Sequence, residues 1–172
     1  MYGQVLYDEM KQTFDFTPIV KTAVRDCGVK DDLQARHLLD AFLQWFSLLP
    51  VVKPGQVYVM LQTEVDAIFH AFVLNSRVYR EFCEGFVGHF IDHHPVDDEL
   101  KPLVSDGVVT TIAMLEEHFG EKLHPALREW RRQVDVGAYA VSCGWFGTYC
   151  GSSEAMRETA LGRLPNSAVI VH

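Results

Sequence analysis

Between Asp31 and Leu49 the chain repeats apolar side chains at helical spacing. Leu33, Leu38, Leu39, Phe42, Leu43 and Phe46 fall on one face, and Pro50 ends the run. A face of that length has to be buried against other elements, and the neighbouring segments carry the same period. "TPIVKTAVRDCG" is punctuated as a short helix, with Thr17 as N-cap, Pro18 at the first helical position and Gly28 just past the end. "SRVYREFCEGFVGHF" sets Val78, Phe82, Phe86 and Phe90 inward. "SDGVVTTIAMLEEHFG" closes at Gly120, and "HPALREWRRQV" starts at Pro125. With 172 residues and 11 Phe, such a chain can build a core without disulfide or metal staples.

The expectation is an all-α, single-domain orthogonal bundle of five to seven helices. Residues 1–136 form the helical domain. Residues 137–172 form an irregular segment rich in Gly, Cys and aromatics, packed on the same domain. One stretch, "VYVML" after the Pro54-Gly55 turn, has strand composition. No second strand is evident to pair with it, so it reads as an extended connector.

Charge and hydropathy narrow the function classes. The formal net charge is −8, a poor balance for gripping phosphates, which takes clustered cations. Arg128, Arg131 and Arg132 form a short basic patch around Trp130 that decorates a helix face. No nucleic-acid partner is expected. No run of about 18 apolar residues exists, so neither a spanning helix nor a membrane partner is expected. The first residues lack the pattern of a secretory signal. The four cysteines, Cys27, Cys83, Cys143 and Cys150, include no CxxC pair. Free thiols in a reducing cytoplasm fit that spacing. Cys27 and Cys83 read as inert core residues, while Cys143 and Cys150 are near enough to pair or to share a metal. Gly137, Gly144, Gly147 and Gly151 make no phosphate loop, and no nucleotide cofactor is expected.

The candidate chemistry lies in "TEVDAIFHAFVLN", Thr63–Asn75. Thr63 reads as the N-cap of a helix, with Asp66 at its third position. At about 100° per residue, Asp66 and His70 fall together inside an apolar arc with Val65, Phe69, Val73 and Leu74. Burying a carboxylate and an imidazole is costly unless they are paired or bound. Two readings follow. Asp66 caps the helix and bonds His70 in a structural network, or both point into a pocket and hold a metal. Further ligands are at hand in "HFIDHHP", where His93 and His94 follow His89, an alternative ligand. An antiparallel helix hairpin brings the late histidines to the early Asp66 and His70. Such a group suits zinc or iron. Arg77 and Tyr79 are candidate outer partners of the same network.

The order Val65-Asp66, His70, Phe72, Leu74, Arg77, Tyr79, Phe82-Cys83 and His93-His94-Pro95 resembles a set of bacterial proteins and the N-terminal helical region of plant glycine-rich-domain proteins. The likeness covers about a third of the chain. It departs at Phe69, where the family usually carries Trp before the histidine. The resemblance implies a shared helical module, and it draws attention to Asp66, His70, His93 and His94.

Two function classes remain. One is a metal-dependent protein, an enzyme or a binder, acting on a small molecule or peptide. The other is a protein-interaction module whose aromatic C-terminal segment docks a partner while the Asp/His group only folds it. Cys143-Gly144-Trp145 sets a thiol beside an aromatic, but no base or oxyanion site accompanies it.

Overall fold

The computed structural model describes residues 2–53, 56–92, 94–95 and 101–145. Among them are seven α-helices, α1 (Tyr2–Thr13), α2 (Thr17–Asp26), α3 (Asp32–Phe46), α4 (Asp66–Leu74), α5 (Ser76–Phe86), α6 (Lys101–Phe119) and α7 (Pro125–Asp135). Three short strands, β1 (Tyr58–Leu61), β2 (His94–Pro95) and β3 (Val141–Trp145), form one antiparallel sheet in the order β1-β3-β2. The fold is a mostly helical bundle, as the periodicity requires. No helix among the described residues is long and apolar enough to cross a membrane.

Local chemistry sets most helix ends. Asp31 accepts the Gln34 amide at 2.8 Å and caps α3. Asp15 accepts the Thr17 amide at 2.9 Å, so α2 begins at Thr17 and not after it. Its far end closes at Gly28, whose φ of 75° only glycine adopts without strain, with Val29 N–H bonded back to Ala23. Leu33 is 80% exposed and does not belong to the buried face of α3. The repeat that does face inward runs from Leu38 to Phe46 and includes Trp45.

Aromatic rings fill the centre. Phe42 of α3 stacks on Phe72 of α4 with centroids 5.0 Å apart, and Phe72 stacks on Phe82 of α5 at 4.8 Å. Phe46 and Phe14 close on Phe82 from α3 and the α1–α2 link, at 4.7 and 5.0 Å.

The sheet corrects two expectations. "VYVML" is not an extended connector, since Tyr58–Leu61 is a strand. Its partner lies in the segment read as irregular: Tyr58 opposes Trp145, Val59 opposes Gly144, and Met60 opposes Cys143. Residues 146–172 of that segment lie outside the described residues. The outer edge of β1 is finished by side chains. Trp45 Nε1–H donates to the Val59 carbonyl at 2.8 Å, and the Val59 amide donates to Thr111 Oγ1 of α6 at 2.8 Å. Both edge groups of Val59 are thus satisfied without a further strand.

Helix α6 reaches that edge through Gly107. A Cβ there would lie 2.7 Å from Val57 Cγ1 and 3.0 Å from Val59 Cγ1. Gly→Ala inside a helix normally gains about 1 kcal/mol. Here the added methyl meets two stiff β-branched side chains, so Gly107→Ala is expected to destabilise by about 1–3 kcal/mol. Thermal unfolding of the variant measures the sign; a raised Tm would show that α6 does not sit on β1 this closely.

Candidate functional site

Helix α4 enters from β1 through a tight turn. Thr63 N–H bonds to the Leu61 carbonyl, and Asp66 N–H bonds to the Thr63 carbonyl at 3.0 Å. Thr63 is not the N-cap that its position suggests. Its hydroxyl accepts Trp130 Nε1–H of α7 at 3.2 Å, and α4 has no side-chain cap. Beyond its last turn, Asn75 Nδ2 donates to the Ala71 carbonyl and to Thr22 Oγ1 of α2, both at 2.8 Å.

Asp66 and His70 face each other as their spacing requires, with Oδ2 and Nδ1 3.6 Å apart. They are not equally buried. The carboxylate side chain is 8% exposed and the imidazole 47%. His70, Val73 and Leu74 look outward into an open cleft between α4 and the end of α2, which Cys27, Thr63 and Asp66 also line. The arc that placed Val73 and Leu74 inside fails because α4 is apolar on nearly every side. Ala71, which lies outside that arc, is fully buried. A helix of that composition does not announce its inner face.

On the other side of Asp66 lies β3. Burial pushes the Cys143 thiol up strongly, the Asp66 carboxylate pushes it further, and a hydrogen bond from the Met60 backbone works against both. Asp66 and Cys143 therefore share one interior region. The histidine segment is brought to the same strand. Tyr79 of α5, fully buried, donates its hydroxyl to the Ile91 carbonyl at 2.7 Å. Three residues on from Ile91 β2 begins and pairs with β3, His94 opposing Gly144 and Pro95 opposing Cys143. Burial also raises the Cys83 thiol, to about 12, against the pull of the Ile91 backbone and the Tyr79 hydroxyl. Cys83 is the inert core residue expected of it. Cys27 is only partly buried, at the cleft.

The other candidates divide. Tyr79 packs its ring on Phe69 and Phe72 of α4 and on Phe90, and its hydroxyl reaches Ile91. Arg77 lies on the solvent face of α5 in an ion pair with Glu81 at 3.7 Å. His89 is exposed just past the end of α5. His93 and Cys150 lie outside the described residues, so the Cys143/Cys150 pair does too. Among the described residues, no three His, Cys, Asp or Glu side chains converge on a metal-sized site. A metal site built on Asp66 and His70 would take its third ligand from outside that set. The contacts that spacing missed are those of Cys143 with Asp66 and of Trp130 with Thr63. Both depend on contacts across more than sixty positions, and no local pattern marks them.

Residues 7–106, more than half of the chain, match the family described as UCP032817-like. The chain belongs to that family. The matched span holds Asp66, His70, Tyr79, Cys83 and all three histidines of the 89–94 segment, and it ends inside α6. Trp130 and Cys143 lie beyond it. The family description names no reaction or ligand. This match does not bear on the resemblance to plant glycine-rich-domain proteins expected from the sequence. No curated protein and no solved structure matches the chain.

Proposed function

We propose that the protein binds a divalent transition metal, zinc or ferrous iron, at the start of α4. Asp66 and His70 supply two ligands, and one or both of His93 and His94 complete the set. One observation carries the reading: the 3.6 Å between Asp66 Oδ2 and His70 Nδ1. That is too long for a hydrogen bond. It is close to the roughly 3.4 Å that separates two ligand atoms on a tetrahedral zinc with bonds of about 2.1 Å. Imidazole with carboxylate suits zinc and ferrous iron rather than calcium or magnesium. The pairing of His94–Pro95 with β3, whose Cys143 feels the Asp66 charge, supports a third ligand from the histidine segment.

Elemental analysis of the purified full chain tests the reading. Near-stoichiometric zinc or iron is expected. Substituting His70→Ala, or His93→Ala together with His94→Ala, is expected to weaken zinc affinity by at least about tenfold, the scale on which metal sites lose affinity when a supporting group is removed. Metal-free protein that takes up no zinc at micromolar concentration would sink the proposal. If that protein also co-purified with another chain, the interaction-module reading would replace it.

A further inference from the structure

Helix α7 begins with a contact that tolerates only one charge state. His124 is its N-cap: Nδ1 accepts the Ala126 backbone N–H at 3.2 Å, and the His124 amide donates to Gln44 Oε1 of α3 at 2.8 Å. A backbone N–H can only donate, so Nδ1 must keep its lone pair and the imidazole must be neutral. The His37 ring of α3 lies against it, centroids 4.3 Å apart and planes at 58°. Two imidazolium rings at that distance repel.

The surrounding charges do not rescue a proton on His124. Burial lowers its proton affinity most, then His37, and Lys11 of α1 adds to both. Asp40 of α3 acts the other way, but its carboxylate is held by Lys11 at 2.8 Å. Glu121 and Lys122 precede His124 in the connecting turn, and the nearby Arg128 guanidinium is turned to the Glu121 carbonyl. The result is a histidine held near pH 4, well below its ordinary 6.5.

What α7 holds lies further along it. Trp130 Nε1–H bonds Thr63 Oγ1, in the turn whose carbonyl receives the Asp66 amide. Beside that bond the two elements leave a gap lined by Gln62, Val65, Ala126 and Glu129. Trp130 thus ties α7 to the turn, and the cap at the start of the helix needs a neutral imidazole.

We propose that the His37–His124 contact is an acid-operated latch on α7: protonation of His124 frees the start of the helix and loosens its hold, through Trp130, on the Thr63–Asp66 turn. It goes beyond the metal reading and does not rest on it. The sign follows from proton counting. Between pH 6.5 and 4 the open form binds the His124 proton and the closed form does not, so opening becomes easier as pH falls. Those two limits set a rise in the opening constant of up to about 300-fold. Above pH 6.5 the latch is fully engaged.

Hydrogen–deuterium exchange on the full chain, corrected for intrinsic rates, tests this between pH 7 and 5. Peptides covering the start of α7 and the 62–66 turn are expected to lose protection together, while a peptide from the middle of α3 does not. His124→Asn keeps an N-cap acceptor but cannot titrate there, and it is expected to abolish the pH dependence in both peptides. Equal pH dependence in wild type and His124→Asn overturns the latch, and so does opening of α7 with the 62–66 turn unmoved. Should the variant fail to fold, NMR titration of wild-type His124 decides: a value near pH 4 supports the latch, and one near 6.5 overturns it.

Discussion

Phe82→Ala is expected to lower the free energy of unfolding by about 3–5 kcal/mol, as for a fully buried Phe cut to Ala. Its ring has no exposed surface and meets rings from four directions: Phe72 of α4, Phe46 of α3, Phe14 and Phe16 of the α1–α2 link, and Phe86 one turn on. Apart from Phe86 these rings come from α3, α4 and the α1–α2 link, so no single backbone shift fills the space left behind. Domains are commonly stable by only about 5–15 kcal/mol, so the loss is a large fraction of the whole. Urea titration followed by circular dichroism measures the loss. Phe86→Ala, at a partly buried site in the same cluster, serves as the control and is expected to cost clearly less. Equal losses at the two positions would show that the rings do not form one centre at Phe82.

That cluster is the part of the fold most legible before any coordinates. Phe42, Phe46, Phe82 and Phe86 sit at helical spacing in segments with clear start and stop signals, and one physical cause, amphipathic burial, governs them all. The sheet was hidden for a different reason. Tyr58–Leu61 has strand composition, but its partner Val141–Trp145 carries Ser, Gly and Cys, and the two are about eighty residues apart. Strand pairing is a long-range event that neither segment encodes alone. The candidate site lies between these cases. The spacing of Asp66 and His70 gave their mutual approach, because it is set by the helix itself. Their unequal burial was not legible. It depends on which side of a helix that is apolar on nearly every face meets α2 and α3. Thr63 shows the same limit: its local context makes it an N-cap, and Trp130, from the far end of the chain, takes its hydroxyl instead.

Trp45 offers the second large effect, and two substitutions separate its two roles. Its ring is buried between Phe42 and Phe69 and stacks on Tyr58 at 5.2 Å with planes 23° apart. Its Nε1–H supplies the Val59 carbonyl at the open edge of β1. Trp45→Phe keeps an aromatic ring but leaves that buried carbonyl without its donor, so a loss of about 1–3 kcal/mol is expected. Trp45→Ala removes the ring as well, and the loss is expected to reach about 3–5 kcal/mol or more. The site feels the difference through the sheet. Strand β1 holds β3 in register, and β3 carries Cys143 and pairs with His94–Pro95. Amide exchange at Tyr58–Leu61 is therefore expected to quicken in the Phe variant while the helices stay protected. Chemical denaturation and exchange of both variants check the order. A neutral Trp45→Phe would mean that the Val59 carbonyl finds another donor, and the edge of β1 would then be held by Thr111 and ring packing rather than by the indole.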